Sequence, residues 1–496
     1  MIPDILESRM RASLSVLPVI AAVLCSVLAV QQPSASRDAV PESLYISHVT
    51  VIDVGNGKEA QNQTVLISGN RISEVNDSGK VRIAAGAKVV NGTGKYLIPG
   101  LWDMHVHAMY APRLDSWMPL FVANGVLGIR DMDSPMRMAD VQHLREEIAA
   151  GSRPGPRIVD AGPILDGQKQ PPPFSDFFIQ VTAPAQGRDL VRSIKSEGFD
   201  FVKVYSGLPR DVYFAIVDEA KAQGIAFAGH VPTSVSALDA SDVGQKSMEH
   251  MFGIYLACSS RENELRSELR KGGTELPARE QRRLEVEEAL ASYDDAKAAG
   301  VFEHLAKNKT WQAPTLTVFS KGRLPANSPL FSDARLRYIP PSTQQKWNEV
   351  GKQRVGTADE VEIWKKSFAK RLSILGAMHR AGIPVLAGTD TGWYNAYSYP
   401  GFELHEELLL LVRAGLTPLE ALRTATINAA RFLGMQENLG TIEKGKLADI
   451  VLLKADPLQD IANTQKIEAV IANGRLFDRT ALDSLLAVAE NAVKKK

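Results

Sequence analysis

The sequence predicts an α/β fold in which a (β/α)8 barrel is joined to a small β-sheet unit built from both ends of the chain. In the middle of the chain, eight short apolar runs alternate with helical segments, and eight strands are what closes such a barrel. Near both ends, short segments alternate apolar and polar residues as strands do. Doubly wound sheets share the alternation of strands and helices, so the strand count alone leaves that α/β architecture open.

The candidate barrel strands are short and apolar. They span residues 96–102, 126–132, 157–162, 199–206, 225–230, 247–250, 310–318 and 383–390. Apolar residues recur at helical spacing in residues 211–223, 361–381 and 417–433. Two segments are expected as insertions: the charged segment 259–309, with solvated helical faces, and the Pro- and Ser-rich segment 321–359.

The sequence near both ends of the chain has the alternating pattern of β-strands. HVTVIDVGNG and QTVLISGNRISEV follow Leu44, and LADIVLLKADPL and KIEAVIANGRLF resume the pattern near the end. We therefore expect residues 44–96 and 436–480 to form the two parts of one β domain. Residues 97–435 are expected to form the barrel, and residues 481–496 a C-terminal helix or tail.

The formal charge of the chain is balanced, because 57 Lys and Arg residues offset 57 Asp and Glu residues. Nucleic-acid-binding proteins usually carry a basic excess, and solvating tails carry an acidic one. The balance disfavours both classes, and we expect no nucleic-acid partner. An apolar fraction of 45% is typical of a globular protein with a large core.

Residues 1–36 have the pattern of a secretory signal. Arg9 and Arg11 precede a run without charged residues, and small residues predict cleavage after Ala29 or after Ser36. The alternative is an uncleaved anchor, because the apolar run is at the short limit of a spanning helix. We expect an exported protein, periplasmic or secreted, that contacts the membrane only if this segment is retained.

Side chains of metal-ligating type end or follow the candidate barrel strands. His105 and His107 lie two residues apart, so an extended backbone points both imidazoles to the same side. The others lie in FVKVYSG, AFAGH, SMEH and VLAGTD and are Lys203, His230, His250 and Asp390. Catalytic groups of barrels sit at the C-terminal ends of strands, where the loops bring them together. A single His-x-His pair is more often structural, but the whole set predicts a metal site.

These segments resemble a known family. LIPGLWDMHVH, FVKVYSG, GHV, EH and AGTDTG, together with GTIEKGKLADIVLL near the end, look like the amidohydrolase superfamily. Within it, the chain is similar to the imidazolonepropionase-like branch that includes metal-dependent prolidases and carboxypeptidases. The resemblance implies a distorted (β/α)8 TIM barrel with a small β-sandwich domain built from both chain ends.

The resemblance also implies a ligand set. His105, His107 and Asp390 would hold the more buried metal ion, and His230 and His250 would hold a second. Nitrogen and oxygen ligands suit zinc best, although Mn, Co or Fe fit the same set.

Lys203 would be the bridging ligand between the two divalent ions. As an ammonium it is a poor ligand, and burying an unpaired charge is costly. The family implies that it is carboxylated, which turns its amine into an anionic carbamate and removes both difficulties.

The expected mechanism follows from the charge of the ions. Two divalent ions lower the pKa of a bridging water, so that hydroxide is present near neutral pH, and polarise the substrate carbonyl. Asp390 would accept the proton and pass it to the leaving nitrogen. Tyr205 points to the same side as Lys203, and we expect its hydroxyl to bind the substrate carbonyl or carboxylate; the alternative is a structural tyrosine.

The expected function is that of an exported binuclear metal-dependent amidohydrolase. It would cleave an amide bond of an N-acyl amino acid or dipeptide, as carboxypeptidases and prolidases do. Hydrolysis of a cyclic amide, an imidazolone or an ester on the same metals stays open, as does a catalytically silent binding protein on the same scaffold. The sequence leaves open the preferred side chain, the native metal and the oligomeric state, although family members are often oligomeric.

Weaker motifs complete the expectations. Arg130 and Asp131 are expected to form a structural ion pair, and a substrate clamp is the alternative. Ser116, Ser206 and Cys258 lack the surroundings of a hydrolase nucleophile. The aromatic segment 393–399 predicts an apolar wall of the substrate pocket.

Overall fold

The computed structural model of the chain describes residues 43–170, 174–272, 280, 283–392 and 394–494. These residues form two parallel sheets, one mixed sheet and the helices that connect their strands. The expected signal segment, residues 1–36, lies outside the described residues. The predicted α/β class with parallel strands is confirmed.

The strands are numbered in chain order. They are β1 Leu44–Ile52, β2 Glu59–Ser68, β3 Arg71–Asp77, β4 Lys88–Asn91, β5 Tyr96–Pro99, β6 Leu101–His107, β7 Val126–Asp131, β8 Arg157–Asp160, β9 Ile164–Asp166, β10 Phe178–Gln180, β11 Phe201–Val204, β12 Ala226–Gly229, β13 Ser247–Glu249, β14 Trp311–Ala313, β15 Thr391–Gly392, β16 Ile450–Leu453, β17 Ile467–Ala472 and β18 Arg475–Phe477.

The helices lie mainly between the parallel strands. The α-helices are α1 Leu114–Ala123, α2 Met138–Ala150, α3 Pro184–Glu197, α4 Arg210–Gln223, α5 Ala237–Asp242, α6 Ile254–Ala257, α7 Glu262–Gly272, α8 Ala289–Ala291, α9 Asp295–Lys307, α10 Leu316–Ser320, α11 Pro341–Arg354, α12 Ala358–Arg380, α13 Phe402–Arg413, α14 Pro418–Thr424, α15 Ile427–Leu433 and α16 Arg479–Lys494. Short 3-10 turns span Ala111–Arg113, Phe174–Asp176, Pro329–Ser332, Ala334–Tyr338 and Ile461–Gln465, and a π-helical turn spans Arg283–Glu288. Within the described ranges, no helix has the length and hydropathy of a membrane span.

The mixed sheet joins strands from both ends of the chain. Its order is β18-β17-β16-β5-β1-β2-β3, and β4 pairs in parallel with β1. The link between the two ends is the antiparallel pair of β5 and β16, in which Leu97 lies opposite Leu452. Both side chains are fully buried in one apolar cluster, together with residues of β1, β2 and β17.

The parallel sheets position the polar residues discussed below. One has the order β10-β9-β11-β12-β13-β14, and the other β15-β6-β7-β8. Hydrogen bonds run between them on two sides. The amide of Asp200 donates to the carbonyl of Asp160 at 3.0 Å, and the segment 384–387 bonds to both β14 and β6.

Several predicted elements differ in detail from the structure. Residues 96–102 form two strands, β5 and β6, that separate at Gly100 into different sheets; a side chain there would meet Leu127. The expected strand 310–318 ends at Ala313, and α10 follows it. Residues 383–390 form no named strand within the described chain, because their backbone bonds are scattered over Gln312, Met104, His105 and Thr424 and form no regular ladder.

The expected helix 417–433 is divided into α14 and α15. The break falls at Thr426, whose φ of −130° and ψ of −96° are far from helical values. The apolar periodicity continues through the break, so the pattern alone could not reveal it. The expected helices 211–223 and 361–381 are observed as α4 and α12, and a C-terminal helix is observed as α16.

Replacing Leu452 with Ala is expected to lower the free energy of unfolding by about 2–5 kcal/mol, because it leaves a cavity in the core that joins both chain ends. Val89→Ala on β4 is the matched control: its side chain is 45% exposed, and the change should stay within about 0.5 kcal/mol. Urea unfolding of both variants is the measurement. Equal losses would contradict a core shared between the two ends.

Candidate metal centre

The six residues expected as metal ligands lie at or just beyond one end of parallel strands. They are His105 and His107 in β6, Lys203 in β11, His230 after β12, His250 after β13, and Asp390 before β15. The ends of parallel strands meet at one edge, and loops there carry ligands and catalytic groups. Five of the six are buried, and the side chain of Asp390 is 13% exposed.

The local backbone brings these side chains close together. His250 and Asp390 have φ values of 63° and 56°, in the left-handed region that non-glycine residues rarely adopt. The Asp390 amide donates to the His105 carbonyl at 2.7 Å. A Cβ at Gly388 would lie 2.7 Å from the Cβ of His105, so this close approach requires glycine.

His105, His107 and Asp390 form the tightest group. The Oδ1 of Asp390 lies 2.8 Å from Nε2 of His107 and 3.4 Å from Nε2 of His105. One ligand atom from each of the three residues lies within 4.8 Å of the others. Two imidazoles and a carboxylate at this spacing can bind one divalent ion.

The imidazoles of His250 and His230 lie next to this group. The ring centroids of His105 and His250 are 4.7 Å apart, and those of His250 and His230 are 4.8 Å apart. The four rings therefore form a connected set, with Asp390 on one side.

The Nδ1 atom of every imidazole in the set lies close to a side-chain oxygen, and three of these four contacts are hydrogen bonds; the contact of His107 with Asp133 lacks hydrogen-bond geometry. The pairs are His105 with Glu249 at 2.7 Å, His107 with Asp133 at 2.7 Å, His230 with Ser206 at 2.8 Å and His250 with Thr315 at 2.7 Å. Metal-binding histidines typically use one ring nitrogen in this way, which fixes the ring and leaves the other nitrogen for the metal. This pattern fits a metal site.

Sequence reasoning did not assign a role to Glu249, Asp133 or Thr315. Only Glu249 carried a signal, as the carboxylate beside His250 in SMEH. Asp133 and Thr315 lie 26 and 65 residues from their imidazole partners in the chain, so only the fold brings them there.

Lys203 is the most unusual member of the centre. It is 1% exposed, and its Nζ has no hydrogen-bond partner among the described residues. Burial lowers the pKa of Lys203 to about 8, although Glu249 and Asp390 oppose this effect. A Cβ at Gly229 would lie 3.0 Å from its Cδ, so the side chain lies directly against β12. Lys203 is therefore a buried amine without a hydrogen bond from the described residues, directly beside the imidazoles.

The electrostatics of the ligands also suit a cation. Burial holds the pKa values of His230 and His250 well below the usual range, so both imidazoles are neutral and able to ligate. Burial raises the pKa of Asp390, but His250 and the other imidazoles outweigh it and hold that pKa well below its usual range. Burial lowers the pKa of His107, but Asp133 and Asp390 outweigh it and raise that pKa to about 10. The centre therefore offers an ionised carboxylate and the neutral nitrogens of His230 and His250 to an ion.

Arg130 is structural, but its partner is not the expected Asp131. Its Nη2 donates to both carboxylate oxygens of Glu249 at 3.0 Å, and its Nε donates to the Met104 carbonyl at 2.6 Å. Asp131 instead accepts from the backbone amides of Ala108 and Met109. β7 alternates its side chains between faces, so adjacent residues point in opposite directions and cannot pair.

A cavity of about 740 Å³ opens beside the centre. Tyr205 and His230 lie in its wall, and their rings stack with centroids 3.9 Å apart. Apolar side chains cover much of the remaining wall; they are Phe252, Val286, Leu290, Phe319, Ile363 and Trp364. Part of the expected insertion 259–309 thus lines the cavity rather than only facing solvent.

The aromatic segment 393–399 contributes less to the cavity than expected. Trp393 lies outside the described residues. Tyr397 and Tyr399 pack against Trp347, away from the cavity, and Tyr394 lies 5.0 Å from the His107 ring. The aromatic residues that line the cavity come from other parts of the chain.

None of the three alternative nucleophiles has the environment of one. The hydroxyl of Ser116 donates to the carbonyl of Arg113 at 3.0 Å. Burial raises the pKa of the Cys258 thiol to about 12, so no thiolate forms near neutral pH. Ser206 makes its hydrogen bond to His230 and orients that imidazole.

Known proteins are similar to parts of this sequence, and a solved structure is similar to its fold. Ochratoxinase of Aspergillus niger is 33% identical over 167 residues, which cover 29% of this chain and 33% of that protein. Imidazolonepropionase of Thermoplasma volcanium is 38% identical over 104 residues, 20% of this chain and 25% of that protein. The chain thus spans a third or less of the length of these curated relatives. The structure of bottromycin amidohydrolase matches with a TM-score of 0.71 at 23% identity and covers 91% of both chains.

The predicted resemblance is confirmed over most of the sequence. The model of the amidohydrolase family matches residues 96–477, which contain all six residues of the centre. The protein therefore belongs to the amidohydrolase family.

Proposed function

We propose that the protein is an exported, binuclear metal-dependent amidohydrolase that cleaves an amide bond of an N-acyl amino acid or a dipeptide. The observation that carries this proposal is the set of four imidazoles whose Nδ1 atoms each lie within 2.8 Å of a side-chain oxygen, gathered around Asp390 and the amine of Lys203, which has no hydrogen-bond partner among the described residues. A binding protein on the same scaffold has no need for such an arrangement.

Two sets of residues would hold the metals. His105, His107 and Asp390 are proposed as ligands of one ion, and His230 and His250 as ligands of the other. Zinc suits the nitrogen and oxygen donors.

Lys203 is proposed to be carboxylated. Its neutral amine would attack CO₂, forming a C–N bond and releasing one proton, and the resulting carbamate would bridge the two ions. The low pKa of Lys203, a consequence of burial, favours the neutral amine that this reaction needs.

Divalent ions in such a site supply a Lewis acid for the substrate carbonyl and lower the pKa of water. The chain supplies the proton transfers. Asp390 is ionised and partly accessible, so it can accept a proton from water and deliver it to the leaving nitrogen. Tyr205 lines the cavity beside His230, and burial raises its pKa, so its hydroxyl stays protonated and can donate to the substrate carbonyl or carboxylate.

The cavity supports a small-molecule amide or peptide with a bulky apolar group. Its walls carry Phe252, Phe319 and Trp364 beside the centre. Bottromycin amidohydrolase, whose fold is similar, is named for the hydrolysis of an amide. Hydrolysis of a cyclic amide is the second candidate, and the similarity to imidazolonepropionase favours it.

We further propose that the two parallel sheets close into one distorted (β/α)8 TIM barrel, and that the mixed sheet is the β-sandwich domain. Barrel closure is supported by the amide of Met104 donating to Ala387 and by the mutual bonds of residues 384–386 with Gln312. Export is proposed from residues 1–36 alone.

Replacing Lys203 with Ala is expected to reduce bound metal from near two ions per chain to one or fewer, because the bridging ligand is lost. Amide hydrolysis should fall by at least about 100-fold, since metal catalysis supplies several kcal/mol. Elemental analysis after dialysis and a hydrolysis assay are the measurements.

Lys246→Ala is the matched control. Lys246 lies just before β13, over the Phe432 ring, and the variant should keep both ions. A wild-type protein with one ion, or a Lys203→Ala protein with two, would refute the bridging role.

Replacing Tyr205 with Phe is expected to lower kcat by roughly 3–10-fold without loss of metal, because one hydrogen bond to the substrate is removed. Tyr213→Phe serves as control, since that hydroxyl donates to Gln245 at 2.8 Å inside the core. The control should lower stability and leave kcat unchanged. Wild-type kinetics in Tyr205→Phe would make Tyr205 a structural residue.

Expression with export is expected to yield a mature protein that begins at residue 30 or residue 37, after cleavage at Ala29 or Ser36. N-terminal sequencing of the exported fraction measures this. Recovery of the uncleaved chain in the membrane fraction would favour the anchor instead.

A further inference from the structure

Helix α12 forms one side of the substrate cavity and leads from its rim to its floor. Five cavity residues share one face of this helix at spacings of three and four, namely Glu360, Ile363, Trp364, Ser367 and Arg371. Ile363 is 67% exposed, whereas Arg371 is 4% exposed. Because a helix rises about 1.5 Å per residue, the path from Glu360 to Arg371 covers roughly 16 Å.

Arg371 is held rigidly on the floor, beside the metal centre. Its guanidinium lies 3.7 Å from the centroid of the Phe319 ring and 4.9 Å from that of Tyr255. Its Nη1 is 3.4 Å from the carbonyl oxygen of His250, a proposed ligand of the second ion. Stacking on aromatic rings restricts the planar guanidinium, so little side-chain entropy remains to be lost on binding an anion.

The other charged residues that line the cavity are more exposed to solvent than Arg371, except for the buried Asp166. Arg323 and Lys370 are partly exposed, so Arg371 is the one cation among the described lining residues that is more than nine-tenths buried. Asp166, the buried acid of this wall, accepts from the amides of Gly167 and Gly207.

We propose that Arg371 binds the free α-carboxylate of the substrate and thereby makes the enzyme select amides of α-amino acids. This inference rests on the proposed function for the position of the scissile amide. In an N-acyl amino acid, only the nitrogen and Cα separate the scissile carbonyl carbon from the carboxylate. A receptor for that carboxylate must therefore lie beside the metal ligands, where Arg371 is. Guanidinium and carboxylate form short, charge-assisted bonds that are strongest away from water.

The test compares two substrates that differ only in the carboxylate, N-benzoyl-L-phenylalanine and N-benzoylphenethylamine. Wild-type kcat/KM should be higher for the first substrate by at least about 30-fold, which is a typical contribution of a hydrogen bond to a charged group. In Arg371→Met, this preference should fall to about threefold or less through loss on the carboxylate substrate alone. Arg371→Lys keeps the charge and the contact with Phe319, and its preference should be intermediate.

Arg323→Met is the matched control on the same wall. It should change kcat/KM for both substrates by the same factor, because Arg323 is partly exposed and is not the proposed carboxylate receptor. Metal content is measured for each variant. If Arg371 only supports the backbone of His250, Arg371→Met and Arg371→Lys will lower kcat/KM for both substrates by the same factor. That result would overturn the inference.

Calorimetric binding of N-benzoyl-L-phenylalanine and N-benzoylphenethylamine separates this inference from the proposed function. Preferential binding of the first that disappears in Arg371→Met supports the carboxylate site, even if neither amide is cleaved and the proposed function fails. Conversely, a wild-type protein that cleaves both amides equally well retains the proposed function and overturns the role of Arg371.

Discussion

The buried ion pair between Arg130 and Glu249 is the contact on which the rest of the centre depends. Glu249 is fully buried and accepts from Arg130, from Ser247 at 2.5 Å and from His105 at 2.7 Å, so it ties β7, β13 and β6 together. Burial raises the pKa of Glu249, but Arg130 and His105 outweigh it and hold that pKa below its usual range. Removing one partner of such a pair leaves a buried charge and costs about 3–5 kcal/mol. The same carboxylate fixes the ring of His105, so the stability of the sheet and the geometry of the ligands have one origin.

Above this charged pair and the cluster of imidazoles, the cavity has apolar walls with charged side chains nearer the solvent. The ligand cluster lies among strand ends, where the backbone is rigid, while the cavity walls come from α12 and from residues 285–291 of the insertion. In the proposed function, the strand ends would supply the chemistry, and α12 and the insertion would contact the substrate.

The sequence could predict the strand ends and the residues placed there, because period-two alternation and the direction of parallel strands follow from local pattern. It could not predict contacts that depend on long-range packing. Asp133 and Thr315 meet their histidines only through the fold, and Arg371 lies in a helix whose charged residues look like an ordinary solvated face. Residues 383–390 read as a strand, yet the bend that gives Asp390 a positive φ interrupts the ladder. The deviation from regular structure there is what turns the carboxylate toward His105 and His107.

The electrostatics of Lys203 argue for the proposed carbamate independently of any relative. Burial and the nearby Arg130 both lower its pKa, whereas Glu249 and Asp390 raise it. An ammonium at this place would repel the ions that the four imidazoles are arranged to bind, and a neutral amine would leave a buried donor unpaired. A carbamate resolves both conflicts, because it replaces a cation by an anion whose oxygens bind metal. The formal charge balance of the chain counts Lys203 as positive, whereas the proposed carbamate would carry a negative charge at this position.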